Sequence, residues 1–182
     1  MWCSKSAYSA AVLCVLTAIV LSGCGFRPMN SPQGNGAGHP ELAAVSVAPI
    51  ADRVGQQLHN RLLDQINPRG RPVSPRYGLN IQLTESIEQI GFRKTELATR
   101  ATLRLRAVFS LYDMSNRQTL LSNSRTVVSS YNILQSDFAT LTAEDDARTS
   151  ATREMADEIR AALVVYFAAR DDDVRQGRTP PG

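Results

Sequence analysis

The stretch Ala101 to Leu111, ATLRLRAVFSL, decides the fold. Ala101, Leu103, Leu105, Ala107, Phe109 and Leu111 fall on one side of an extended chain. Thr102, Arg104, Arg106 and Ser110 fall on the other. Such alternation marks a strand with one face buried and one face wet. A strand of about a dozen residues runs about 40 Å, roughly twice the usual length. Asp113-Met114-Ser115-Asn116 then reads as a hairpin turn. Thr119 to Tyr131 is strand-like through Thr126, Val127 and Val128, but neither face is cleanly apolar, so its register stays open.

Working upstream, Tyr77, Leu79, Ile81 and Leu83 share a face opposite Asn80 and Gln82, a further strand of period two. Leu42 to Ala48 is almost continuously apolar and closed by Pro49, which predicts a short buried strand. Asp52 offers a helix N-cap. Val54, Leu58, Leu62 and Ile66 recur at helical spacing, and Asn67-Pro68-Arg69-Gly70 stops the helix. Pro72 and Pro75 lie in a loop.

Downstream, a second helix is predicted from Thr142, with Asp145 completing an approximate capping box. Its buried stripe is Ala147, Ala151, Met155, Ile159, Leu163 and Tyr166. Asp171-Asp172-Asp173 opposes the C-terminal helix dipole and predicts an end there, followed by a disordered tail over residues 171–182. The order is β-α-β-β-β-α. Its economical packing is an α+β two-layer sandwich, two helices on one face of a four-stranded sheet. The uncovered face carries Arg and Thr, so the domain at 42–170 reads as an elongated body that something else surrounds.

Composition removes several function classes. The chain has 182 residues, 43% hydrophobic and 20% charged, enough for one domain. A net charge of +3 is too mild to argue for nucleic acid. Two histidines, His39 and His59, and three cysteines, Cys3, Cys14 and Cys24, build no zinc cluster or disulfide framework. Asp145 and Asp146 point about 100° apart on a helix, so they read as first-turn dipole partners rather than a catalytic pair. His59 has no serine in a nucleophile-elbow context and reads as a surface helix residue. Tyr112, Tyr131 and Tyr166 read as core or rim aromatics.

The N-terminus addresses the chain to a membrane. Lys5 precedes an apolar run, Ala10 to Leu21, broken only by Thr17. Twelve residues make about 18 Å of helix, short of a hydrocarbon core of about 30 Å, so residues 1–23 read as a signal peptide. Leu21-Ser22-Gly23-Cys24 resembles the bacterial lipobox. In that motif small residues let the signal peptidase approach the backbone, and the Cys receives a diacylglycerol thioether and an N-acyl chain. Cys24 is therefore the expected lipid attachment point, and several acyl chains hold a protein on a bilayer almost permanently. Gly25, where an Asp would favour the inner membrane, favours the outer one. Residues 24–41, with Pro28, Pro32, Gly34, Gly36, Gly38 and Pro40, form a flexible tether reaching roughly 20–25 Å.

Cys24-Gly25-Phe26-Arg27-Pro28, Ile50-Ala51-Asp52-Arg53 opening the first helix, Ser130-Tyr131-Asn132 following the fourth strand, and a terminal helix rich in Ala, Arg and Glu occur in one order. This layout resembles the LPS-assembly lipoprotein family, LptE, of Gram-negative bacteria over most of residues 22–170. The resemblance implies a non-enzymatic outer-membrane lipoprotein without a cofactor beyond its acyl chains. It also implies a plug inside a large β-barrel, LptD, that helps lipopolysaccharide reach the cell surface. Lipopolysaccharide carries phosphates, and Arg forks suit phosphate better than Lys. Arg100, Arg104 and Arg106 in phase on the long strand, Arg93 and Lys94 in the turn before it, and Arg125 on the next strand are the expected contacts to lipopolysaccharide anions or the barrel wall. Their plainer role is to keep a strand face soluble. The alternative function is a lipid-anchored periplasmic adaptor of another lipid-trafficking, ABC-type system.

Overall fold

A computed structural model describes residues 40–90 and 99–177. After a 3-10 turn at Pro40–Ala44 come β1 (Val45–Val47), α1 (Asp52–Ile66), β2 (Tyr77–Ile90), β3 (Thr99–Asp113), β4 (Thr119–Ile133) and α2 (Asp137–Arg175). The sheet order is β1-β2-β3-β4, with β1 parallel to β2 and the other neighbours antiparallel. Both helices lie on one side of this mixed sheet, the α+β arrangement expected from the periodicities.

The core forms where the two apolar periodicities meet. Ala101, Leu103, Leu105, Ala107, Phe109 and Leu111 of β3 are all buried, as are Tyr77, Leu79 and Ile81 of β2. From above, α1 contributes Leu58, Leu62 and Ile66, and α2 contributes Ala147, Ala151, Met155, Ile159 and Leu163. Phe167, not the expected Tyr166, closes the stripe. It is buried against Tyr77 with ring centroids 5.1 Å apart, while Tyr166 is half-buried beside it.

The ends of the helices differ from expectation. Ala51 occupies the N-cap of α1 with no side-chain bond, and Asp52 is the first helical residue at φ +66°, a left-handed backbone that Asp tolerates better than most residues. The second helix begins at Asp137, five residues before Thr142, and is capped by Ser136, whose side chain accepts from the Ala139 N–H at 3.4 Å. Its first turns carry Phe138 and Leu141 facing solvent, so the apolar stripe that signals a helix starts only later. It also continues past the acidic run to Arg175, which pairs with Asp172 at 3.4 Å and so offsets the unfavourable charge at that end. Residues 171–175 are therefore helical, not part of a tail.

The hairpin forms where expected. Asp113 accepts from both the N–H (2.8 Å) and hydroxyl (2.6 Å) of Ser115. The Ser115 bonds hold its carboxyl below the usual carboxylate range. The register of β4 is settled by a shift beside Leu111 and Tyr112, beyond which Leu121, Asn123, Arg125, Val127, Ser129 and Tyr131 face the helices. Mixed polarity on that face explains why neither side of β4 reads as apolar.

Candidate functional site: the open face of the sheet

The face of the sheet away from the helices carries serine, threonine and asparagine side chains around a row of arginines, with Val108 and Val128 exposed among them. Arg100, Arg104 and Arg106 all stand exposed on β3, the central of its three long strands. Neighbours on one strand face lie about 6.7 Å apart. Ser86 and Val128 flank Arg104, Thr84 and Thr126 flank Arg106, and Asn132 stands beside Arg100. One acid, Glu88, stands across from Thr102, diagonal to Arg100 and Arg104. No salt bridge to these three guanidinium groups forms among the described residues. Their donor forks are therefore available to an anion, and serine, threonine and asparagine hydroxyls and amides around them add further donors.

Arg125 does not join this row. It pairs across the ladder with Ala107, a core residue, so its side chain lies on the helix side. There Arg125 Nε meets Glu158 at 3.3 Å, and Nη1 donates to Asn123 Oδ1 at 2.9 Å and to the Ser124 carbonyl at 3.1 Å. The cause is the period of two: a residue at an odd position on β4 cannot share a face with Arg104. Leu21, Ser22, Gly23, Cys24, Arg93 and Lys94 lie outside the described residues.

The carboxylates weighed from sequence lie two turns inside α2 rather than in its first turn, and Asp146 is exposed. Asp145 pairs with Arg53 at 3.2 Å, and His59 Nδ1 lies 3.2 Å from the Ala48 carbonyl oxygen. Two networks went unread in the sequence. Arg148 bridges α2 to β2 through Glu85 at 2.9 Å and also pairs with Glu144. The Tyr131 hydroxyl donates to the same Glu144 at 3.1 Å, which ties in β4. Burial works against the Arg148 charge, but the bond to Glu85 and both nearby carboxylates outweigh it and hold the guanidinium more firmly protonated. At the other end, Tyr77 donates to Glu41 and accepts from Arg170 Nη1 at 3.1 Å, between the guanidinium groups of Arg76 and Arg170. Burial, then the bond to Glu41, pushes the Tyr77 hydroxyl upward; burial and Glu144 do the same to Tyr131. The i,i+4 spacing of Glu144 and Arg148 is the one part of these networks written in the sequence; the Arg148–Glu85 and Arg170–Tyr77 bonds join residues 63 and 93 positions apart, which spacing does not encode.

Among the described residues no group of His, Cys, Asp and Glu is placed to hold a metal, and no helix is long and apolar enough to cross a membrane.

Known proteins place this architecture. A Caulobacter crescentus CB15 structure, solved as that of a candidate lipoprotein, superposes with a TM-score of 0.58 at 20% identity, over 72% of this chain and 95% of that one. A minor lipoprotein of Acinetobacter baumannii superposes with a TM-score of 0.51 at 14% identity, over 66% and 91%. An uncharacterized protein of Rickettsia prowazekii is 22% identical over 153 residues, 84% of this chain and 94% of that one. The sequence model of the lipopolysaccharide-assembly family LptE matches residues 42–163, from the first buried segment to the last third of α2. The chain belongs to the LptE lipopolysaccharide-assembly family.

Proposed function

We propose that this chain is an outer-membrane lipoprotein, anchored through acyl chains on Cys24, that plugs an LptD-type β-barrel and assists lipopolysaccharide insertion without catalysis of its own. The observation that carries this reading is the family match across the folded domain. The open sheet face supports it chemically. Three arginines without salt-bridge partners among the described residues, set in a field of small hydroxyls, suit phosphate-bearing lipid headgroups and the polar lumen of a wide barrel. A long sheet with a wet face needs no second layer of its own if another polypeptide surrounds it.

Copurification from detergent-solubilised outer membrane, followed by mass spectrometry, tests the partner: an LptD-type barrel is expected. Recovery of an inner-membrane ATPase instead would assign the chain to an ABC-type lipid-trafficking system. Radiolabelled palmitate tests the anchor; incorporation is expected in the full chain and lost in Cys24→Ala.

A further inference from the structure

Three separate stretches of chain are joined at one end of the domain. The entry turn at Pro40–Ala44, the loop from α1 to β2 and the β3–β4 hairpin turn all meet at Arg76. Its N–H donates to the Ala44 carbonyl at 3.0 Å, and its carbonyl accepts from the Met114 N–H at 2.9 Å. Its guanidinium meets Glu41 at 3.5 Å. Asn67 Nδ2 adds a bond to the Ala43 carbonyl at 3.4 Å, and Leu42 is fully buried. The point at which the chain enters the domain is therefore fixed.

The surface around that point combines apolar tips with arginines. Val73, in the loop between Pro72 and Pro75, is 100% exposed, and Met114 on the hairpin turn is exposed too. Arg69, Arg71, Arg76 and Arg117, on the same loop and turn, all stand exposed. The carboxylates closest to them are engaged, Glu41 by Tyr77 and Arg76, and Asp113 by Ser115. Asp171, Asp172 and Asp173 belong to the last turns of α2, on the helix side, where Arg170 and Arg175 accompany them. Apolar tips among guanidinium groups suit a bilayer surface: the tips enter the headgroup boundary while Arg forks bind lipid phosphates.

We propose that this end of the domain docks on anionic phospholipid in the leaflet that holds the Cys24 acyl chains, so that the folded domain makes a second membrane contact of its own. The length of chain before Pro40 selects this end. Residues 24–39 reach roughly 20–25 Å. The opposite end of the long strands, at Ile90 and Thr99, lies about 45 Å further on. Docking of this kind rests on the anchored-lipoprotein reading, and the test separates the two.

The acylated chain is reconstituted in vesicles of phosphatidylcholine, with or without phosphatidylglycerol, that contain a lipid with a nitroxide on its headgroup. A fluorophore is attached at Val73→Cys or, at the opposite end, at Gln135→Cys, both exposed positions. Quenching is expected at Val73→Cys in the phosphatidylglycerol vesicles and not at Gln135→Cys. Each arginine near an anionic surface contributes about 5-fold. Arg71→Glu with Arg117→Asn, the latter suited to the left-handed backbone at φ +62°, is therefore expected to lower the docked-to-free ratio about 10-fold or more. Arg153→Glu, exposed in the middle of α2, is expected to leave it unchanged. Should the double variant misfold, salt at about 1 M, with a screening length of about 3 Å, is expected to release the unaltered chain's surface in the same way. Absent quenching at Val73→Cys, equal quenching at both ends, indifference to phosphatidylglycerol and salt, or full docking by the folded double variant would each overturn the inference alone. A label at Val73→Cys that is silent on vesicles and shielded from an aqueous quencher only in the barrel complex would assign this end to the barrel and overturn it too. A chain that takes up no acyl chains would remove the anchor reading and this inference together.

Discussion

At Gly78 a missing methyl group makes room for Tyr112. A Cβ at Gly78 would lie 2.2 Å from the Tyr112 ring, which stacks over it from the paired position on β3. Because the outer end of the half-exposed Tyr112 ring can swing towards solvent, Gly78→Ala is expected to cost no more than about 1 kcal/mol, read from urea unfolding, and Gly78→Ala with Tyr112→Ala to recover part of that loss. The buried hydroxyls give a pH signature. Tyr77 and Tyr131 are both held protonated above the ordinary tyrosine value near 10. Their contribution is intact below that value and is lost as the pH rises through the folded values. Thermal unfolding should show stability falling above about pH 10, less steeply in Tyr77→Phe and Tyr131→Phe. Neither effect is legible from spacing: Gly78 and Tyr112 are 34 positions apart, and only the β2–β3 register brings them together.

At the scale of elements, α2 is held by its stripe more than by its ends. Met155 is fully buried under β3 and β4, so Met155→Ala is expected to cost about 2–5 kcal/mol in chemical denaturation. Ser136→Ala removes only a long cap bond in an exposed first turn and should cost about 0.5–1 kcal/mol. This ordering explains the misplaced helix start. Periodicity reports the buried stripe, which begins near Ala147, whereas the helix itself starts earlier at a cap, with the Thr140 and Thr142 hydroxyls donating to the Ser136 and Phe138 carbonyls one turn back. Arg125 is the corresponding case on β4. Sequence grouped it with the arginines of β3, but face is set by register, and register by a shift beside Leu111 that no local residue pattern announces.

For the whole molecule, the four described arginines among the expected lipopolysaccharide contacts resolve into two faces. Replacing Arg104 and Arg106 together by Glu is expected to weaken lipopolysaccharide binding several-fold while leaving the unfolding midpoint nearly unchanged, because both side chains are exposed and pair with no acid among the described residues. Arg125→Glu should leave binding intact and lower stability modestly, through repulsion with Glu158. Unaltered binding after the double reversal, measured on purified lipopolysaccharide, would remove the arginine row from the site.

The sequence by itself determined the strands, the two helices, the class of fold and the family resemblance, because burial of one face imposes a period that survives as a residue pattern. The lengths of the helices, the face of Arg125 and the networks around Arg148 and Tyr77 were decided only in three dimensions. The face of Arg125 and the long bonds of the two networks depend on pairings between residues far apart in the chain, chosen by packing of the whole sheet against α2. The helix ends follow instead from local caps and side-chain bonds that a buried stripe does not report.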